Sequence, residues 1–162
     1  MITTILSDFS RLLVFAKDKA YQGSLNSLYL NVKIKADFKL FDFFVLNKEL
    51  LAYYASLKNI FQVYIFSSSK LLADQEVLSH LKPVFIQIFS AESLGLDKSE
   101  SNAYEILAKD YLKKNPGEII FIDDQQENIN AAKEVGYKTY LYKDNNKELF
   151  SFLNKTLKPL IR

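Results

Sequence analysis

Short apolar runs recur along the chain, separated by stretches whose apolar positions repeat with helical spacing. Thr3–Leu6, Val63–Phe66, Phe85–Phe89, Glu118–Ile122 and Lys138–Tyr142 are such runs. They are nearly continuous in apolar residues instead of alternating, the pattern of strands covered on both faces of a parallel sheet. Between them, Asn47–Leu57 gathers Leu50, Leu51, Tyr54 and Leu57 on one side of a helix, and Glu100–Lys113 does the same with Tyr104, Leu107, Ala108, Tyr111 and Leu112. A third helix, Gln126–Val135, stops at Gly136, a residue that takes the left-handed turn after a helix without penalty, and Lys147–Leu157 predicts a terminal helix. The alternation predicts an α/β fold, a three-layer sandwich around a five-stranded parallel, Rossmann-like sheet. Phe15–Phe44 breaks the rhythm with Lys17-Asp18-Lys19, a Gln22-Gly23 turn, and Leu25, Leu28 and Tyr29 at helical spacing. This segment predicts a flap and one short helix, a minimal insert at about residues 15–45 of a single domain spanning residues 1–162.

Composition narrows the class. A chain of 162 residues has the length of one domain, enough to bury roughly 70% of its unfolded surface. With 49% hydrophobic and 25% charged residues it is balanced like a globular protein and unlike a disordered one. The net charge of +2 is carried by scattered lysines without a basic stripe, which sets nucleic acid aside as a partner. No run approaches the ~18 apolar residues of a membrane span. The absence of cysteine removes disulfides, thiol nucleophiles and thiolate zinc sites and fits a reducing compartment. The opening residues have no basic region ahead of an apolar core, so a signal peptide is not expected and the expected location is cytoplasmic. His80, the one histidine, sits near a helix end before Pro83 and is assigned no chemistry.

The remaining polar residues fall where chemistry is expected. In an open parallel sheet, ligands bind outside the carboxyl ends of the strands, and Asp8, Ser67 and Asp123-Asp124 follow three of the apolar runs. Carboxylates gathered there without Cys or His form a hard oxygen site suited to Mg²⁺. A phosphate beside that metal needs neutral and cationic donors as well, which Ser67 and Lys98 supply.

These blocks, in this order, resemble the haloacid dehalogenase-like (HAD) hydrolase superfamily. Ile119-Ile120-Phe121-Ile122-Asp123-Asp124-Gln125-Gln126-Glu127-Asn128-Ile129, with Ala131-Ala132 and Gly136 beyond, is similar to its acidic motif. Gly95-Leu96-Asp97-Lys98 and the following Tyr104-Glu105-Ile106-Leu107 resemble its lysine motif, and Val63–Ser67 its strand ending in Ser or Thr. The resemblance spans residues 1–15 and 46–145. It implies that Asp8 is a nucleophile toward phosphorus and a metal ligand, that Asp124 is a second ligand supported by Asp123, and that position 10 reaches Mg²⁺ through its backbone carbonyl. It implies further that Ser67, with Ser68 beside it, hydrogen-bonds the phosphoryl group, and that Lys98 neutralises the charge shared by Asp8 and the phosphate.

The first motif departs from the family pattern. Phosphatase members carry a second Asp two residues after the nucleophile, followed by Gly and Thr, whereas this chain reads Asp8-Phe9-Ser10-Arg11-Leu12. Ser10 therefore stands where the acid/base carboxyl is expected, a group that contributes about 10²–10⁴-fold to rate. The short stretch between Asp8 and Ser67 leaves room for a mini-cap only, and an open site of that kind admits a phosphorylated small molecule or a phosphorylated macromolecule. The expected function is a slow Mg²⁺-dependent phosphohydrolase working through an aspartyl-phosphate on Asp8. The alternative is a catalytically degenerate relative acting as a phosphate-binding or protein-interaction module. Dehalogenating members also lack the second Asp but work without metal, which the Asp123-Asp124 pair argues against. A receiver-like phospho-acceptor has its acidic pair first in the chain, and here the pair comes last.

Overall fold

The computed structural model describes residues 1–157. In chain order the elements are β1 (Thr4–Ser7), β2 (Val14–Ala16), α1 (Leu25–Val32), α2 (Leu40–Phe43), β3 (Phe44–Leu46), α3 (Lys48–Leu57), β4 (Gln62–Ser67), α4 (Gln75–Leu81), β5 (Gln87–Ser90), α5 (Ala91–Leu94), α6 (Ser101–Ile106), β6 (Ile119–Asp123), α7 (Gln126–Val135), β7 (Lys138–Leu141) and α8 (Asn146–Leu157). Five of the strands form one parallel sheet in the order β5-β4-β1-β6-β7. The expected α/β sandwich is therefore present. None of the described helices is long and apolar enough to cross a membrane.

Strand residues alternate between two cores, which is why their sequences read as unbroken apolar runs. Ile5, Val63, Ile65, Ile120 and Ile122 face one side, packed with Leu50 and Tyr54 of α3, Val77 and Leu81 of α4, and Leu149 and Leu153 of α8. Leu6, Tyr64, Phe66, Ile119 and Phe121 face the other, against Ala103 and Tyr104 of α6 and Ile129 and Ala132 of α7. Each fully buried aliphatic side chain contributes about 1.5–3 kcal/mol to folding, so polar replacements at these positions are costly on either face.

The sheet positions the site through its connectivity. From central β1 the chain crosses to β4 on one side and later returns to β6 on the other, so the switch point, with its crevice, lies at the carboxyl end of β1.

Two segments differ from expectation. The insert holds two helices beside its flap, the antiparallel pair β2–β3, and not one. Its second helix, α2, is a four-residue turn without a side-chain cap, too short to leave a readable period. In 100–113, α6 widens after Ile106 into a π-helical turn over Leu107–Leu112, which ends at Lys113 in the left-handed region, φ 55°. The widening leaves Tyr111, expected on the buried side, 43% exposed with its ring against Phe89.

Candidate active site

Asp8 directly follows β1, and its amide donates to the Ile122 carbonyl at 2.8 Å, which carries the sheet's pairing one residue past the strand. The residue is buried. Asp123 closes β6 two strands' width of hydrogen bonding from Ser67, which closes β4, with β1 between them. Asp124 follows at once, half-buried.

Lys98 reaches this point from the loop after α5, which turns at Gly95 in the left-handed region, φ 65°. Its ammonium donates to Asp8 Oδ1 and to Asp123 Oδ2, each at 2.6 Å, and lies 5.7 Å and 5.6 Å from the ring centres of Phe66 and Phe121. The side chain is only 7% exposed, so its charge depends on those partners. Burial acts to lower the Lys98 pKa, but Asp8 and Asp123 together raise it, and the lysine stays protonated. Burial first, and then Asp8, push Asp123 upward against the pull of Lys98. The same two causes raise Asp124.

Asp8, Asp123 and Asp124 each bring a carboxylate oxygen within 4.8 Å of the others. Three carboxylates against one ammonium leave an excess of negative charge in a poorly hydrated pocket, which a divalent cation offsets. Oxygen donors without nitrogen or sulfur suit Mg²⁺, so the residues present fit the metal expected from sequence.

The supporting contacts were not singled out from sequence. Asn128, on the first turn of α7, donates to Asp123 Oδ2 at 3.1 Å, and the Gln125 amide donates to Asp123 Oδ1 at 2.8 Å. Tyr104 Oη donates to the Lys98 carbonyl at 2.8 Å, and Tyr137 Oη to the Tyr104 carbonyl at 2.8 Å. Asn128 and Tyr104 both lie inside the motif blocks, but Tyr104 reads there only as a helical apolar position.

The remaining candidates lie around this cluster. Ser67 is buried at the end of the strand next to β1, and its Oγ accepts from the Ser69 amide at 3.4 Å. Ser68 is exposed and shares with Lys98 the wall of an open cavity of about 760 Å³. Ser10 is half-buried and its backbone bridges to Val14. Arg11 adopts φ 56°, a conformation that a glycine takes without strain. His80 packs edge-on against Phe41 of the insert.

A second cavity, about 620 Å³, opens between the insert and the core, with Asp124 on its wall. The insert is tied down on both sides of the crevice. Asn26 of α1 donates to the Ser68 carbonyl at 3.2 Å and accepts from the Lys70 amide at 2.8 Å, and Tyr29 Oη donates to Asp74 Oδ2 at 3.2 Å. On the other side Arg11 Nη2 donates to the Gly23 carbonyl at 2.8 Å.

The chain is similar to known proteins in sequence and in fold. Part of the chain is 34% identical over 84 residues to enolase-phosphatase E1 of Methylococcus capsulatus, covering 49% of this chain and 36% of that protein. The chain thus spans little more than a third of the length of that curated relative. An HAD family enzyme of Bacteroides thetaiotaomicron, solved with magnesium and inorganic phosphate, superposes with a TM-score of 0.69 at 16% identity, over 93% of this chain and 100% of that one. A predicted HAD-like family hydrolase of Porphyromonas gingivalis gives 0.70 at 16% identity, over 96% and 98%. These structural likenesses establish the fold. The family model for haloacid dehalogenase-like hydrolase matches residues 7–136, a range that holds every candidate residue from Asp8 to Asp124, and the chain belongs to that family.

Proposed function

We propose that the chain is a Mg²⁺-dependent phosphohydrolase in which Asp8 forms an aspartyl-phosphate. The observation that carries this reading is the buried contact of Lys98 with both Asp8 and Asp123, because it fixes the nucleophile's carboxylate beside a cation in a poorly hydrated pocket. Asp8, Asp124 and the Ser10 carbonyl would hold the metal, with Asp123 behind them. Bound there, Mg²⁺ would supply positive charge to the phosphoryl oxygens.

An Asp8 carboxylate oxygen attacks phosphorus while the bond to the leaving oxygen breaks. Ser67 donates a hydrogen bond to the phosphoryl group, with Ser68 beside it, and Lys98 balances the charge on Asp8 and the phosphate. The leaving alkoxide takes its proton from solvent, since the Ser10 hydroxyl cannot serve as a carboxyl acid does. Water then attacks the aspartyl-phosphate, releasing inorganic phosphate and a proton and restoring Asp8. Turnover is slow for poor leaving groups for that reason. The relative named as a phosphatase and the neighbour solved with magnesium and phosphate support the reading.

Ser10 favours a second reading, in which the pocket binds a phosphorylated partner without turnover. Hydrolysis of an activated aryl phosphate separates the two. Magnesium-dependent hydrolysis lost in Asp8→Asn is expected, and phosphate binding without hydrolysis of any ester would favour the binding module.

A further inference from the structure

Arg11 holds an uncommon conformation for a residue with a side chain, φ 56°. Non-glycine residues held in that region cluster at functional sites. Its backbone is locked by the turn after β1, where its amide donates to the Val14 carbonyl at 2.8 Å. Arg11 stands three residues from the proposed nucleophile, and it lines the 620 Å³ cavity on whose wall Asp124, a proposed metal ligand, also lies.

The guanidinium is fixed but not used up. Both of its contacts come from Nη2, to the carbonyls of Gly23 at 2.8 Å and Gln22 at 3.5 Å. Its three other N–H groups have no protein partner among the described residues. A Cβ at Gly23 would stand 2.6 Å from Tyr21 Cζ, so a side chain there would displace the Tyr21 ring. Tyr21 Oη is bound to the Ser24 carbonyl at 3.0 Å and its ring lines the same cavity.

Asp18, Asp124 and Asp144 line the same cavity, and among the described residues none of them forms a salt bridge with Arg11. Lys17 donates to the Phe41 carbonyl at 3.0 Å, and Asp18 accepts from the Ala20 amide at 2.9 Å, so both are engaged within the insert. Lys19, Lys143 and Asp144 are exposed at the rim.

Resting on the phosphohydrolase reading, we infer that Arg11 is a specificity-determining residue that binds a carboxylate on the leaving group, so that the preferred substrates are small phosphate monoesters carrying one carboxylate. The free N–H groups of Arg11 can each donate a charge-assisted hydrogen bond to a carboxylate oxygen, and a cavity of this size accommodates a small molecule.

The test is titration calorimetry on the full chain in excess Mg²⁺, using inorganic phosphate and three phosphonates whose C–P bond the proposed chemistry does not cleave. Phosphonoacetate and 3-phosphonopropionate carry the carboxylate, and ethylphosphonate lacks it. At least one carboxylated probe is expected to bind about 10- to 100-fold tighter than ethylphosphonate, the span of a charge-assisted hydrogen bond. Arg11→Gly, which suits the backbone conformation, removes that preference, and Arg11→Lys keeps part of it. Equal affinities for all three phosphonates in the wild-type protein, a comparison that needs no variant to fold, overturn the inference while leaving the phosphate site intact. A preference that survives in folded Arg11→Gly does the same. Failure of inorganic phosphate and every phosphonate to bind overturns the phosphohydrolase reading and this inference with it.

Discussion

Lys98 Nζ lies 2.6 Å from Asp8 Oδ1 across 90 positions of sequence, and the contact is buried on both sides. Removing one member of a buried charge pair leaves the other without a countercharge, typically at about 3–5 kcal/mol. Lys98→Met is expected to lose stability in that range in metal-free urea denaturation, and added Mg²⁺ is expected to restore part of it. A loss below about 1 kcal/mol would mean that the ammonium does not hold these carboxylates in solution.

Mg²⁺ is expected to raise the melting temperature of the wild-type protein in proportion to its site occupancy. Asp124→Asn removes a proposed ligand without disturbing the Lys98 contacts, and the stabilisation should vanish. Thermal melts over a Mg²⁺ series check this, and equal shifts in both proteins would remove Asp124 from the ligand set.

Ser10→Asp supplies the carboxyl that the first motif lacks. Turnover of alkyl phosphates should rise by about 10–10³-fold, less than a full acid/base contribution because Arg11 and Leu12 also depart from the family motif. Aryl phosphates, whose leaving groups need no proton, should gain much less. The ratio of kcat/KM between the two ester classes, before and after substitution, is the measurement. An unchanged ratio in a folded, metal-binding variant would show that position 10 does not face the leaving oxygen.

Tyr104→Phe strips the donor from the buried Lys98 carbonyl, at about 1–3 kcal/mol for an acceptor left unpaired. Tyr137→Phe does the same to the Tyr104 carbonyl, one step further from the site. Both should lower stability in urea, but only the first should also lower kcat, because only Tyr104 fixes the loop that carries Lys98. Equal effects on kcat would assign the whole chain of hydrogen bonds a purely structural role.

The sheet and the acidic cluster were legible for one reason, that each depends on local order in the chain. Strands buried on two faces write themselves as apolar runs; Ser67 and Asp123 are the first polar residues after two of those runs, and Asp8 follows a third with only Ser7 between. The insert was not legible to the same degree. Its placement depends on Asn26 meeting Ser68 and Lys70, on Tyr29 meeting Asp74, and on Arg11 meeting Gly23, and no spacing encodes a contact between segments so far apart. The π-helical turn was hidden differently. Tyr104, Leu107, Ala108, Tyr111 and Leu112 satisfy an ordinary helical period, and the widening appears only once Tyr111 is seen outside the core. In the sequence Arg11 is a departure from a motif, and its place on the cavity wall appears only in the fold.

The side-chain amide of Asn26 lies along the backbone of the loop after β4 as a neighbouring strand would, taking the Lys70 amide and giving to the Ser68 carbonyl. The insert therefore cannot swing away from the crevice without releasing the Lys70 proton to water. Hydrogen–deuterium exchange at that single position becomes a clock for the lifting of the insert from the loop after β4.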